Sequence, residues 1–236
     1  HSFDHVGMLA RTVEDVAILL SVMAGADEKD ITTSHEAIPD YVAAMGQKME
    51  PPRIGVLRGY FTEYSSEDTM ENLNGVINRL REAGANIEDV EPQLDFGEMF
   101  EAHNTMVPAE AASFHDAMFR DHRNDYGPKI TAIIEKGFGV SGVEYARANQ
   151  VRSQALNEVH KMIAKFGVLL SPTATSPAPR DLTNTGDLRF QSPWTFLGLP
   201  AISIPAGIDK KGYPLGLQII GKAFDEQNIL NIAYSM

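Results

Sequence analysis

The sequence predicts an α/β fold, with a mixed β-sheet flanked by helices on both faces. Short aliphatic runs alternate along the chain with longer segments whose apolar residues have helical spacing, as in a sheet covered by helices. The last two aliphatic runs flank a glycine-containing turn, which favours an antiparallel hairpin and therefore a mixed sheet. With 236 residues, 43% of them hydrophobic, the chain is long enough to bury one large core.

The first predicted helix begins at a capping box, Thr12-Val13-Glu14-Asp15. The threonine hydroxyl and the acid at its end can satisfy the free N–H groups of a first helical turn. Apolar residues then recur at helical spacing up to Met23, and Gly25 is typical of the position after a helix end.

The next unit is predicted to be strand, helix, strand. Residues 53–58 form a short aliphatic run, Ser66 can cap the following helix, Gly84 ends it, and residues 85–90 form a second strand. Two strands joined by a helix are expected to lie parallel, with a right-handed crossover.

The middle of the chain is predicted to be helical. Pro108 and Pro128 are each expected at the first position of a helix, where the missing N–H costs nothing. A capping box at Ser141–Glu144 opens a long helix that Gly167 ends. Residues 168–170 then read as a fully buried strand.

The hairpin near the end of the chain pairs residues 201–204 with 215–220 around 209–212. We expect Val56, Leu169 and Ile204 to lie on buried strands of one sheet. Four aliphatic residues of the predicted helices should pack against this sheet: Val76, Leu80, Val159 and Ile163.

Composition excludes several classes of function. The formal net charge is −12, and without a basic cluster this argues against nucleic acid as a partner. The chain has no cysteine, which excludes thiolate nucleophiles and cysteine-ligated zinc. No apolar run approaches the ~18 residues of a membrane span. We expect a cytoplasmic protein that contacts no membrane, and a chain cut from a longer one because no initiator methionine precedes His1.

No local motif assembles a catalytic or metal centre. Residues 137–142 match a dinucleotide-loop spacing, but a helical segment precedes them where that loop needs a strand. His115 and His122 are not an i, i+4 pair, and a solvated helix face is the better interpretation. No G-x-S-x-G elbow occurs, so four serines are interpreted as strand-end or loop hydroxyls: Ser171, Ser176, Ser192 and Ser203.

A ligand is nevertheless expected at a particular place. In open α/β sheets, ligands bind beyond the carboxyl ends of strands. Those ends are residues 170–173 and 57–60.

Six stretches in succession resemble the amidase-signature family of hydrolases. Met8 replaces a proline and Gly167 replaces an acid of the family pattern. The matching stretches are distributed along the whole chain: 2–17, 53–61, 110–115, 168–173, 198–207 and 212–221.

The resemblance implies that residues 1–236 are the C-terminal portion of a single amidase-signature domain. It implies carboxamide hydrolysis through an acyl-enzyme, in which a serine, a second serine in cis configuration and a lysine act. All three belong to family segments that come before the position of His1, so no residue of this chain is expected to be catalytic. No cofactor or metal is implied.

The resemblance places the acyl side of the pocket just before the Gly-Leu-Pro-Ala stretch. The candidate substrate-binding residues are Phe190, Gln191, Trp194 and Thr195. Trp194 fits either an apolar acyl pocket or the core, and both interpretations stay open. Leu188 stands where the amidotransferases of the family have an aspartate that holds glutamine, with Asp187 beside it, and this argues against glutamine as substrate.

Three hypotheses follow. The first is an amidase acting on a small-molecule amide. The second is an amidotransferase A-type subunit within a complex. The third is a non-catalytic binding module with the amidase fold. Since half a sheet would expose edges and apolar faces, we also expect a homo-oligomer or association with the protein's own N-terminal part.

Overall fold

A computed structural model describes residues 2–30, 32–43, 45–47 and 53–236. The described strands are β1 Arg53–Leu57, β2 Asn86–Val90, β3 Val168–Pro172, β4 Ala201–Ile208 and β5 Pro214–Ile220. The described helices are α1 Val13–Met23, α2 Tyr60–Glu63, α3 Glu67–Glu82, α4 Phe96–Asp121, α5 Pro128–Phe138, α6 Gly142–Phe166, α7 Ser192–Leu197 and α8 Glu226–Ser235, with a 3₁₀ turn at Arg123–Asp125. None of these helices is long and apolar enough to cross a membrane.

The strands form one mixed sheet in the order β2-β1-β3-β5-β4. β1 lies parallel to β2 and β3, whereas β5 is antiparallel to β3 and β4. The predicted parallel unit, the hairpin and the mixed α/β class are confirmed.

Helices cover both faces of this sheet. On one face, α4, α6 and α7 enclose a core that contains Leu57, Leu169 and Ile220. On the other face, α3 and α8 pack on a core that contains Val56 and Leu170. Alternate residues of a strand point to opposite faces, so neighbouring residues of β1 and β3 enter different cores.

The predicted sheet residues are confirmed with one correction. Val56 and Leu169 are fully buried in β1 and β3, and the four predicted helix residues pack against the sheet, Val76 and Leu80 on one face and Val159 and Ile163 on the other. Ile204 belongs to the same sheet but is only half-buried. The reason is that β4 is an edge strand, whose residues alternate between the core and solvent.

Helix ends follow the predicted caps. The hydroxyls of Thr12 and Ser66 accept backbone N–H groups at the starts of α1 and α3. Ser141 and Glu144 form the reciprocal capping box of α6. Gly167 ends α6 with φ +79°, a conformation that side chains rarely adopt.

Pro108 corrects the predicted start of a helix. It lies inside the 26-residue α4 rather than at its first position, and Asp95 caps the helix much earlier. A proline cannot donate the backbone hydrogen bond that the carbonyl of Asn104 would otherwise accept. Lys136 of α5 donates its Nζ to that carbonyl at 2.9 Å. Gly137 lies so close to Pro108 that a Cβ would overlap the proline carbonyl.

Candidate functional site

A cleft of about 500 Å³ lies beyond the carboxyl end of β3. Its floor comes from β4, β5 and Thr173, which directly follows β3, and its wall is the loop that connects β3 to α7. The position agrees with the expected ligand site after residues 170–173. The lining residues used below are Thr173, Asp187, Leu188, Gln191, Ser203 and Gly216.

The floor of the cleft is a pair of hydroxyls. The Oγ1 of Thr173 and the Oγ of Ser203 lie 2.6 Å apart in a hydrogen bond. The backbone N–H of Thr173 donates to the carbonyl of Gly216 at 3.1 Å. A Cβ at Gly216 would lie 2.7 Å from the threonine hydroxyl and 3.0 Å from the serine hydroxyl. A residue without a side chain at 216 is therefore needed for the pair to form.

Gln191 joins the wall to the floor. Its Nε2 donates to the carbonyl of Thr173, while its Oε1 is buried and has no partner among the described residues. Gln218, buried in β5, donates to Ser171 Oγ at 3.2 Å and to the carbonyl of Phe190 at 3.0 Å. Two glutamines thus fix the segment before α7 against the sheet.

The wall carries an ion pair. Arg189 Nε lies 2.7 Å from Asp187 Oδ2, and Asp187 Oδ1 accepts the backbone N–H of Arg189 at 2.9 Å. The guanidinium carbon lies 4.1 Å from the ring centre of Tyr64. Partial burial opposes the charge of Arg189, but the hydrogen bond to Asp187 outweighs it and raises the pKa of the guanidinium.

The four predicted binding residues separate into two groups. Gln191 lines the cleft and Thr195 is half-buried in α7. Phe190 and Trp194 are 0% and 2% exposed, and both lie in the core. The indole of Trp194 is stacked on the ring of Phe61, with nearly parallel planes and 6.0 Å between centroids.

Of the two interpretations of Trp194, the position of these rings supports the core rather than the acyl pocket. A large apolar ring in a six-residue helix is packed inward because α2 and α4 offer it aromatic partners. Whether any of the four residues binds an acyl group stays a prediction.

Apart from the carboxylate of Asp187, which is paired with Arg189, the lining of the cleft offers hydrogen bonding by neutral groups. Among the described residues, the hydrogen-bond partner of the Ser203 hydroxyl is another hydroxyl rather than a base. A nucleophilic serine needs an adjacent base to accept its proton. Nor do the described residues contain a group of three or more histidines, aspartates or glutamates that could hold a metal ion.

A buried imidazole elsewhere in the chain does not change this description. Burial lowers the pKa of His103, which lies against Phe3 and Phe196. His103 lines a separate groove along α4, not the cleft at β3.

Ser203 and Gly216 were not predicted from the sequence to form part of the cleft floor. From the sequence alone, Ser203 is interpreted as an ordinary strand-end hydroxyl and Gly216 as part of a strand. The available signal is the pairing itself, since an antiparallel hairpin that aligns Ser203 with Gln218 puts Gly216 nearby on the same face.

Comparison with known proteins gives a consistent result. A family profile described as Amidase matches residues 1–230. The A subunit of glutamyl-tRNA(Gln) amidotransferase from Chlorobium phaeobacteroides is 32% identical over 266 aligned residues, which cover 98% of this chain and 55% of that protein. Its counterpart from Parvibaculum lavamentivorans is 33% identical and matches 100% of this chain and 54% of its own length. The chain therefore spans about half the length of the curated relatives it matches.

Solved structures show the same fold. A bacterial aryl acylamidase of the amidase signature family superposes with a TM-score of 0.80 at 20% identity, over 97% of this chain and 51% of the other. Peptide amidase from Stenotrophomonas maltophilia gives 0.75 at 25% identity, over 99% and 53%. A structure described as a vestigial protein complex, related to the origins of an s-triazine catabolic enzyme, gives 0.84 at 24% identity, over 99% and 53%.

Proposed function

This chain belongs to the amidase family, and from that premise we propose that it forms part of a carboxamide hydrolase. In this proposal the cleft at β3 is the acyl-side wall of the substrate pocket. The observation that carries it is the match of the family over residues 1–230 together with a cleft at the carboxyl end of a central strand. The substrate is a small-molecule amide, which water converts to a carboxylic acid and an amine.

The chemistry of the cleft indicates which residues orient the substrate and which groups must come from elsewhere in the protein. Hydrolysis through an acyl-enzyme needs a nucleophile, a base and donors for the oxyanion, each worth several kcal/mol. We assign the nucleophilic serine, the serine in cis and the lysine to a segment outside these 236 residues. Gln191 and the Thr173–Ser203 pair act in orientation, and they hold the acyl group rather than cleave the amide.

An activity assay tests this assignment. The purified chain is expected to release no amine from a simple aryl amide. Ser203→Ala is the matched control because it removes the one serine hydroxyl in the floor of the cleft. Turnover by the wild-type chain that Ser203→Ala abolishes would make Ser203 the nucleophile and contradict the proposal.

Association with further polypeptide completes the proposed function. Several apolar side chains of the N-terminal region are exposed, among them Val6 at 78%, Leu9 at 98% and Val22 at 80%. Apolar side chains that form one exposed patch usually mark an interface. We propose a homo-oligomer or a complex with the protein's own N-terminal part. Light scattering with intact mass decides this, and a soluble monomer of 25.9 kDa would contradict it.

A second candidate is an amidotransferase A-type subunit. Relatives at 32–33% identity bear that name, and this is the observation in its favour. Glutamine binding at the cleft would support it over a simple amidase.

Cytoplasmic location is part of either proposal, and fractionation of the source cells tests it. With a net charge of −12, direct contact with nucleic acid is not part of our proposal.

A further inference from the structure

The inference concerns which acyl groups the cleft accepts, and it rests on the proposed function. We propose that the cleft selects uncharged acyl groups, and that Arg189 sets this preference by neutralising Asp187. Arg189 would then act as a positioning residue, since it controls the charge of the cleft through the aspartate.

The lining of the cleft is nearly free of charge. Asp187 is the single ionisable side chain among the described lining residues. The others are small, apolar, amide or hydroxyl-bearing; the hydroxyls are those of Thr69, Thr173, Thr175, Ser176, Thr185 and Ser203. Hydroxyls donate and accept hydrogen bonds, so such a surface suits a neutral polar or apolar group.

Arg189 is held where it neutralises that one charge. Arg189 is not itself a lining residue. Its side chain is 27% exposed, and the aspartate side chain is 36% exposed. Three contacts fix the pair: the 2.7 Å ion pair, the backbone hydrogen bond within the same turn, and the ring of Tyr64 against the guanidinium. The two charged residues are two positions apart in one loop, so their ion pair needs no distant element to form.

In such a cleft, a charged ligand would lose more free energy by leaving water than it would gain from new contacts. An ammonium would have to compete with a guanidinium that is already in place, and it would leave water to do so. A carboxylate would meet no free cation among the described lining residues. A neutral alkyl or aryl acyl group avoids both costs and buries apolar surface against Leu188 and the neighbouring prolines.

The test compares two amides that differ by one charge. Hexanamide and 6-aminohexanamide have nearly the same shape, but the second ends in an ammonium at neutral pH. Binding to the full 236-residue chain is measured by NMR, from the shifts of the backbone amides of Gln191 and Ser203. We expect hexanamide to bind the wild type more tightly by about fivefold, the size that one partly exposed charge supports.

Three variants separate charge from packing. Arg189→Gln frees Asp187 and should reverse the preference towards 6-aminohexanamide. Asp187→Asn leaves the guanidinium alone and should increase the preference for hexanamide. The double variant Asp187→Asn/Arg189→Gln removes both charges and leaves neither unpaired, so it should keep the wild-type preference for hexanamide. Circular dichroism of each variant verifies that it is folded.

The outcomes distinguish this inference from the proposed function. Equal binding of the two amides by the wild type, or an unchanged preference in Arg189→Gln, would overturn the role of Arg189 while the acyl site stands. Tight binding of glutamine by the wild type would overturn the selection of uncharged groups and favour the amidotransferase candidate. If neither amide shifts Gln191 or Ser203 in any folded variant, both proposals fail.

Discussion

β3 and β4 lie two strands apart in the same sheet, with β5 between them, and their surroundings differ. All five residues of β3 are buried, since helices pack on both faces. Along β4, Ile202, Ile204 and Ala206 pack on one core, while Ser203 and Pro205 stay exposed on the opposite face. The candidate cleft lies beside β4, on the face of that strand that no described helix covers. One strand supports the sheet, and the other provides an open surface for a ligand.

The largest expected effect tests the buried strand. Leu169→Ala should lower the free energy of unfolding by about 3 kcal/mol, because the substitution leaves a cavity in a packed core. Ile208→Ala is the matched control on β4, where the side chain is 71% exposed, and it should cost less than about 0.5 kcal/mol. Urea denaturation of both variants measures the difference. Equal costs would remove the contrast between the strands.

The next effect tests the support of the floor. Gly216→Ala places a methyl group within 3.0 Å of both hydroxyls of the pair, so the pair must separate or the strands must shift. We expect a loss of about 1–2 kcal/mol together with lost amide binding. Gly142→Ala is the control, because a Cβ there meets no atom within 4 Å. Normal ligand binding by Gly216→Ala would show that the pair does not shape the cleft.

A smaller effect separates binding from stability. Ser203→Ala removes one exposed hydroxyl and should change stability by only about 0.5 kcal/mol. Because the hydroxyl faces the cleft, hexanamide affinity should fall by about fivefold. Thermal denaturation and NMR titration of the same sample compare the two readouts. A large loss of stability with unchanged affinity would make Ser203 a structural residue.

The smallest effect depends on pH and involves α8, which packs under β4. Burial, and then the neighbouring Asp225, raise the pKa of Glu226 above its ordinary value of 4.5, although its own backbone N–H works against this. An acid with a raised pKa in the folded state destabilises the fold once pH rises above the unfolded value, and has no such effect below it.

Glu226→Gln should therefore be more stable than wild type near pH 7, by no more than about 0.5 kcal/mol after screening by solvent. The advantage should disappear as pH falls below the ordinary glutamate value. Melting temperatures at several pH values measure it, and the advantage should be smaller in an Asp225→Asn background, because Asp225 contributes to the raised pKa. An advantage that grows at low pH would contradict the assigned cause.

Much of the fold could be predicted from local signals. Thr12, Ser66 and Ser141 each marked a true helix start, because capping depends on residues only a few positions away. The aliphatic runs marked the strands for the same reason. The alternation of these runs with helical segments predicted the class of the fold, and the family resemblance agreed with it.

The candidate site was predictable only in part. The cleft lies at the carboxyl end of β3, where a ligand was expected, and Gln191, which was predicted to bind substrate, lines it. The burial of Trp194 in the core was not predictable, because it depends on aromatic rings of α2 and α4 that are distant in sequence. The ion pair of Asp187 and Arg189 was missed because a charge pattern in a loop does not reveal which side chain faces the ligand.

The contact between α4 and α5 has a consequence for how this sequence can change. Pro108 leaves a carbonyl without its backbone donor, Lys136 supplies one, and Gly137 makes room for the approach. Pro108 and Gly137 are each unfavourable inside a helix when considered alone. A lineage that lost the proline would release the lysine, and one that gained a side chain at 137 would have to give up the close crossing of the helices. Substitutions at these positions should therefore be inherited together, and their combined effect on stability should differ from the sum of the single effects.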